Sequence, residues 1–254
     1  MSADPWVLSH TTWKTVRGTD YEIAVLPWGA TEAHNFHLPY GTDNYQAAYV
    51  AAESAKKAWA AGARVAVLPM IPYGVNTGQL DIRLCINMNP STQAAVLGDV
   101  ARSLESEGIT KLVILNGHGA NDFRPMIREL QATCGVFICT VNWWNCVDPK
   151  PYFDEPGDHA GELETSMMMH LVPNLVSPLS EAGDGKAKKF KVDGLREGWA
   201  WAPREWTRVT EDTGVGNPAK ATAQKGKKFL DVATEKIGGF LVELAAADLG
   251  SMYE

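Results

Sequence analysis

The chain has 254 residues, 45% hydrophobic and 21% charged, with 23 Gly and 14 Pro. That composition excludes collagen-like, low-complexity and wholly disordered chains, and supplies ample apolar material for a core. Lys and Arg number 23 against 30 Asp and Glu, a formal charge of −7, so nothing electrostatic favours nucleic acid or an anionic membrane as the main partner.

The first five residues, Met1-Ser2-Ala3-Asp4-Pro5, carry no basic stretch followed by an apolar run, so no signal peptide is expected, and no apolar run is long enough for a membrane-spanning helix. Tyr21 to Leu26 reads as a short buried strand ended by Pro27 and Gly29. Asn44 to Ala61 has helical spacing, with Asp43 as its expected cap. Arg64 to Leu68 is a second strand, and Ser91 to Gly108 a helix with Ser91 as cap. Lys111 to Leu115 is a third strand, followed by a turn and a helix over Asp122 to Thr133; Val136 to Val141 is a fourth strand. Ser180 to Asn217 is polar, Gly-rich and holds Trp199, Trp201 and Trp206, which suits a lid, an excursion or an interface. A last helix is expected from Lys220 to Leu249.

Strands separated by helices predict βαβ units, hence a mainly parallel sheet covered on both faces. No repeat and no second domain is visible, so residues 1–254 read as one α/β domain. Cys85, Cys134, Cys139 and Cys146 form no CxxC pair and read as reduced packing thiols, for which the cytoplasm is the expected address.

Ligands of such sheets sit at the carboxyl ends of the strands, and polar clusters follow all the predicted strands. They are T-E-A-H-N-F-H from Thr31, Y-G-V-N-T-G from Tyr73, N-G-H-G-A-N from Asn116, and D-H-A-G-E-L-E-T-S from Asp158. His34, His37, His118 and His159, four of the six histidines, lie in these loops. Imidazole and carboxylate without thiolate suit Zn²⁺, Mn²⁺ or Fe²⁺ in a catalytic rather than a structural zinc site. Glu32 and His34 stand two apart and project to one side of an extended backbone, so each can serve one of two neighbouring ions, with Asp43 as the bridging carboxylate. If residues 159–162 are helical, His159 and Glu162 share a face and Glu164 points away. Glu162 is then the expected ligand, and Glu164 a group that orients a ligand by hydrogen bonding to it.

Plainer readings exist for several of these features. His10 and His170 are taken as structural. N-G-H-G-A-N can be a tight turn or a phosphate cradle, although it lacks the Lys-Ser/Thr of a P-loop. Trp143 and Trp144 suit packing, and neither Cys146 nor Ser166 stands in a nucleophile elbow.

At these residues the chain resembles the creatininase (creatinine amidohydrolase) family. The resemblance rests on P-W-G-A-T-E-A-H-N-F-H-L-P-Y-G-T-D, I-P-Y-G, L-N-G-H-G-A-N and H-A-G-E-L-E-T-S, over roughly residues 20–176, with G-V-G-N-P-A-K-A-T-A-Q-K-G as a closing stretch. It implies a three-layer α/β/α sandwich, two divalent metal ions per chain, amide hydrolysis on a small-molecule substrate, and a homo-oligomer, frequently a hexamer. Glu32, Asp43 and His118 would hold one ion and His34 with bridging Asp43 the other. Ala120 stands where creatininase has a metal-binding Glu; relatives with a Gly-rich turn there use the Glu of H-A-G-E, here Glu162. His159 matches the catalytic His. The chain departs from the family at Gln79, where a His is usual, and this with Ala120 argues against creatinine itself.

The expected reaction is attack of a metal-bridging hydroxide on the carbonyl of a small, cyclic amide, with His159, oriented by Asp158, as general acid. Asn76, Gln79 and Trp144 are the expected substrate contacts. The polar loop around Asn76, Gln79, Asp81 and Arg83 also suits a hydroxyl-rich lactone or cyclic polyol ketone at the same site. A non-catalytic metal- or ligand-binding protein, and a nucleotide-phosphate binder, are the remaining readings.

Overall fold

The computed structural model describes residues 4–254. The sheet contains β1 (Ile23–Trp28), β2 (Val65–Val67), β3 (Lys111–Asn116) and β4 (Phe137–Asn142), in the spatial order β2-β1-β3-β4 and parallel throughout. β1 pairs with β2 through Val25 and Val67 and with β3 through Leu26 and Ile114, while Val113 of β3 faces Cys139 of β4. The two inner strands are buried on both sides, which is why they read as continuous apolar runs rather than alternating ones.

The longer helices are α1 (Thr42–Ala60), α2 (Pro90–Ser106), α3 (Arg124–Leu130), α4 (Glu162–Leu171) and α5 (Ala223–Ala246). Period-two alternation splits the strands between two cores. Ile23, Val25, Val113 and Leu115 pack with Val50 of α1, Met167 of α4 and Phe229 and Leu241 of α5. Ala24, Leu26, Leu112 and Ile114 pack on the other side with Leu97 and Ala101 of α2 and Met126 of α3. This is the expected three-layer α/β/α arrangement.

Several element ends differ from expectation. β1 runs through Pro27 to Trp28. The carbonyls of Val25 and Pro27 both accept from the Leu68–Ile71 side, so the missing Pro N–H falls beyond the end of β2 and no ladder bond is lost. α1 begins at Thr42 with Gly41 as its cap position, so Asp43 lies inside the first turn and does not cap. α2 begins at Pro90, which suits the first helical position, and Ser91 lies within the helix. The last helix is shorter than expected and is capped by Thr222, whose Oγ1 accepts from Lys225 N. At its other end the Lys111 ammonium donates to the carbonyls of Ala245 and Ala247, both at 2.7 Å, tying β3 to the open end of α5. Residues 180–217 contain only short helical turns, including Asp193–Glu197 and Trp206–Val209. Among the described residues no helix is long and apolar enough to cross a membrane.

Candidate metal centre

The loops after β1, β3 and β4 and the first turns of α1 and α4 converge at the carboxyl edge of the sheet. Each turn has a local reason. In N-G-H-G-A-N, Asn116 Oδ1 accepts from His118 N and Asn121 Nδ2, both at 3.1 Å, and Asn116 Nδ2 donates to the His118 carbonyl at 3.0 Å. The two asparagines thus hold the His118 backbone from both sides. Gly74 leaves room for the ring, since a Cβ there would stand 2.8 Å from His118 Cδ2. His159 is fixed by backbone exchange with Val215, donating at 3.0 Å and accepting at 2.8 Å, so the G-V-G-N stretch reaches back to the site.

The imidazoles share one design. A backbone carbonyl can only accept, so the nitrogen facing it carries the proton. His118 Nε2 donates to the Val75 carbonyl at 3.0 Å, His34 Nδ1 to Glu32 at 3.2 Å, and His159 Nε2 to Ala33 at 2.9 Å. In each case the other nitrogen faces the carboxylates. His118 Nδ1 lies 2.9 Å from Glu32 Oε1 and 3.0 Å from Asp43 Oδ2, and His34 Nε2 lies 3.1 Å from Asp43 Oδ1. His159 Nδ1 is 3.8 Å from Glu32 Oε1. Carbonyl-anchored imidazoles aimed at a common centre are the arrangement that metal-binding histidines adopt.

Among the described residues three overlapping donor sets result, each with ligand atoms within 4.8 Å of one another: Glu32, Asp43 and His118; His34, Asp43 and Glu164; and Glu32, His34 and His159. Although Glu32 Oε1 and Asp43 Oδ2 are close to His118, neither is aligned for a hydrogen bond, and both are buried without a hydrogen-bond partner. Buried polar atoms are rarely left so, because the desolvation cost goes unrepaid. Converging lone pairs of carboxylate oxygen and imidazole nitrogen, left without hydrogen-bond partners in a buried cluster, fit a divalent cation. Asp43 presents one oxygen to His34 and the other to His118, the disposition of a bridging ligand.

The electrostatics agree with that fit. Burial alone would lower His34, but the Asp43 carboxylate outweighs it and raises the group to about 10. Burial is likewise overcome at His118, held well above its ordinary value by Glu32 and Asp43. Burial would raise Glu32 and Asp43, yet the neighbouring imidazoles hold both carboxyls below their usual range. Glu164 moves the other way: burial pushes it up to about 7, only partly opposed by His34. Burial and the charge of His34 pull His159 down to about 4. Protonated imidazoles and divalent cations are alternative ways of neutralising the same carboxylates.

Two expected roles need correction. Glu162 does not join the cluster: Oε2 accepts from Glu155 N at 2.8 Å, and Oε1 takes the Lys225 ammonium. The helix starts at Glu162, so His159 precedes it and the shared-face argument fails. Two residues rotate a helix by roughly 200°, so Glu164, not Glu162, faces His34 and Asp43. Asp158 does not orient His159 either; its carboxylate accepts from Arg204 at 2.7 Å, and the Ala33 carbonyl holds the imidazole.

Of the expected substrate contacts, Trp144 and Asn76 line a cavity of about 1140 Å³ that opens from the cluster. The Asn76 amide is engaged with the carbonyls of Ile86, at 3.1 Å, and Thr31, at 3.4 Å. Gln79 is buried, and its amide lies against Glu32 and Cys85 rather than toward the cavity. Phe190, Trp201, Arg204 and Trp206 line the same cavity, so the Trp-rich excursion borders the site. The His159 ring is held between Trp206, centroids 4.6 Å apart, and His34 at 4.1 Å. No sequence signal tied Trp206 to His159. His37 stands aside, its Nε2 bonded to Thr165 Oγ1 at 2.9 Å.

A parallel α/β sheet with buried carboxylates and imidazoles converging at its carboxyl edge defines an α/β protein with a candidate metal-binding cluster at the usual ligand edge of such sheets. The sequence profile of creatininase, described as creatinine amidohydrolase, matches residues 9–241, and the chain belongs to this family. It is accordingly a metal-dependent hydrolase of the amidohydrolase type. A crystal structure from Bacteroides fragilis NCTC 9343, assigned as a creatinine amidohydrolase, is 44% identical with a TM-score of 0.92, covering 99% of both chains. The mycofactocin precursor peptide peptidase of Mycobacterium tuberculosis (strain CDC 1551 / Oshkosh) is 28% identical over 215 residues, 81% of this chain and 78% of that protein. A creatininase variant solved in a Zn-Zn form shares the fold at a TM-score of 0.79 and 23% identity, over 95% of this chain and 98% of that one.

Proposed function

We propose that the chain hydrolyses an amide bond at a centre of two divalent ions, Zn²⁺ or Mn²⁺, held by Glu32, Asp43 and His118 on one side and by His34, Asp43 and Glu164 on the other. The observation that carries this reading is Asp43, whose oxygens face His34 at 3.1 Å and His118 at 3.0 Å in two donor sets that share it. The Zn-Zn form of a creatininase with the same fold is consistent with it. When bound, such ions polarise a carbonyl and lower the pKa of water toward neutrality.

The chain's own residues supply the rest. His159 Nε2–H is committed to Ala33, so Nδ1 faces the cluster with a free lone pair. It takes the proton of the attacking water and returns it to the leaving nitrogen, a task for which a fixed tautomer and ring plane are prerequisites. Trp206 and His34 hold that plane, and Trp206 with Trp144 shields the reacting carbonyl from bulk water. A cavity of about 1140 Å³ exceeds the need of a single small ring. This favours an amide carrying larger flanking groups, in keeping with a peptide-cleaving relative.

The test is a panel of cyclic amides, peptides, formamides and lactones offered to chelator-treated protein with and without Mn²⁺ or Zn²⁺. Amide hydrolysis that appears only with metal is the expected result. Turnover indifferent to chelation, or restricted to lactones, overturns the proposal.

A further inference from the structure

Gln79 and Cys85 lie just behind the cluster, and neither is a member of the donor sets. Gln79 is 1% exposed. Its Nε2 donates to Glu32 Oε2, the oxygen turned away from His118. Its Oε1 accepts from Cys85 Sγ at 3.1 Å, and the same sulfur accepts from Ala33 N at 3.3 Å. The relay is therefore closed: thiol to amide oxygen, amide nitrogen to carboxylate, and the backbone next to that carboxylate back to the thiol. An ionised carboxylate can only accept, so the amide nitrogen faces Glu32, and the Cys85 S–H, a weak donor, supports the same orientation from the amide oxygen.

The turn carrying Gln79 is itself pinned. Asn76 N donates to Asn87 Oδ1 at 2.8 Å. Gly78 lies directly under the strap that carries Trp206, since a Cβ there would stand 2.1 Å from the Arg204 carbonyl. Thr207 Oγ1 also donates to Asp81 on the same turn. The amide thus reaches Glu32 from a rigid seat.

From this we infer that Gln79, oriented by Cys85, is a positioning residue for the metal-ligating carboxylate Glu32, holding Oε2 so that Oε1 stays aimed at the ion shared with Asp43 and His118. A neutral donor suits the task. It satisfies one oxygen of a buried carboxylate without bringing a cation that would compete with the metal, and it removes the terminal rotation by which the carboxylate would otherwise swing away. This inference rests on the metal-centre reading proposed above.

The test is a Co²⁺ titration of the chelator-treated full chain, followed by the visible absorption of the ion and by chelator competition, with the melting temperature of each metal-free variant as a check on folding. Gln79→Met, close in shape but without the donor, is expected to weaken Co²⁺ binding by about 10–100-fold and to change the absorption band. Gln79→Leu serves as a second donor-free variant. Cys85→Ser, which keeps a donor toward the Gln79 amide oxygen, is expected to stay near wild type, and Cys85→Val, which removes it, to weaken Co²⁺ binding less than Gln79→Met does. Unchanged Co²⁺ binding in Gln79→Met overturns the inference alone, as does weakened binding with an unchanged absorption band, which would mean packing only. Wild-type protein that takes up no Co²⁺ overturns the metal-centre reading and this inference with it.

Discussion

Glu162 and Glu164 stand two residues apart at the start of α4, yet they meet opposite surroundings. Glu162 faces α5, where Lys225 supplies a permanent cation and Glu155 a backbone N–H, so its charge is settled within the protein. Glu164 faces the sheet edge, where His34 and Asp43 offer lone pairs and a competing negative charge, and burial pushes it up to about 7. The same side chain on one turn of helix is a structural tie in one direction and a candidate ligand in the other. What stands opposite decides the role, and the helical phase decides what stands opposite.

The strongest way to test that contrast is at the residue both donor sets share. Asp43→Ala should remove both ions and all measurable hydrolysis, a loss beyond the roughly 10⁴-fold upper range for an acid–base group; metal analysis and turnover check it. His159→Ala should lower kcat by about 10²–10⁴-fold while metal content stays at the wild-type level.

Glu164→Gln should cost one of the two ions and most activity. Glu162→Gln should keep both ions and turnover within about twofold, and lower only the melting temperature, because it loosens α4 from α5. Equal metal loss in the two variants would erase the distinction.

The smallest effect is on pH dependence, read as the melting temperature of chelated protein. His34 is raised from 6.5 to about 10, so its stabilising contribution is full below 6.5 and fades as pH rises toward 10. Asp43 is depressed below 3.8, so its contribution is present above 3.8 and lost as pH falls further. Metal-free protein should therefore lose stability on the alkaline side above pH 6.5. Added Mn²⁺ or Zn²⁺, binding with proton release, should remove that loss.

Much of this architecture was legible in the sequence. The apolar runs gave the strands of the parallel sheet, and helical spacing gave α1, α2 and α5, because burial on two faces or one stripe leaves a periodic mark. Their ends were less legible. Asp43 and Ser91 resemble caps by residue type, but capping depends on backbone geometry at Gly41 and Asn89, which residue type does not report. Glu32, His34 and His118 could be gathered because each lies just past an apolar run, and Asp43 and His159 because they stand in the polar segments that continue from such runs. Glu164 was displaced by Glu162 because the phase of α4 depends on where the helix begins, and that start is tied to the preceding loop by the Leu163 N–H on the Pro156 carbonyl and by a Gly161 whose position has no room for a side chain.

By itself, then, the sequence determined the layers, the edge of the sheet that carries the chemistry, and the residue types collected there, since these follow from local patterning and from family motifs. Only the tertiary structure decided which oxygen of Asp43 meets which imidazole, that Ala33 rather than Asp158 orients His159, that Trp206 closes over the ring, and that Gln79 spends its amide on Glu32. Those are contacts between segments far apart in the chain, and their directions are fixed by packing rather than by neighbours in sequence.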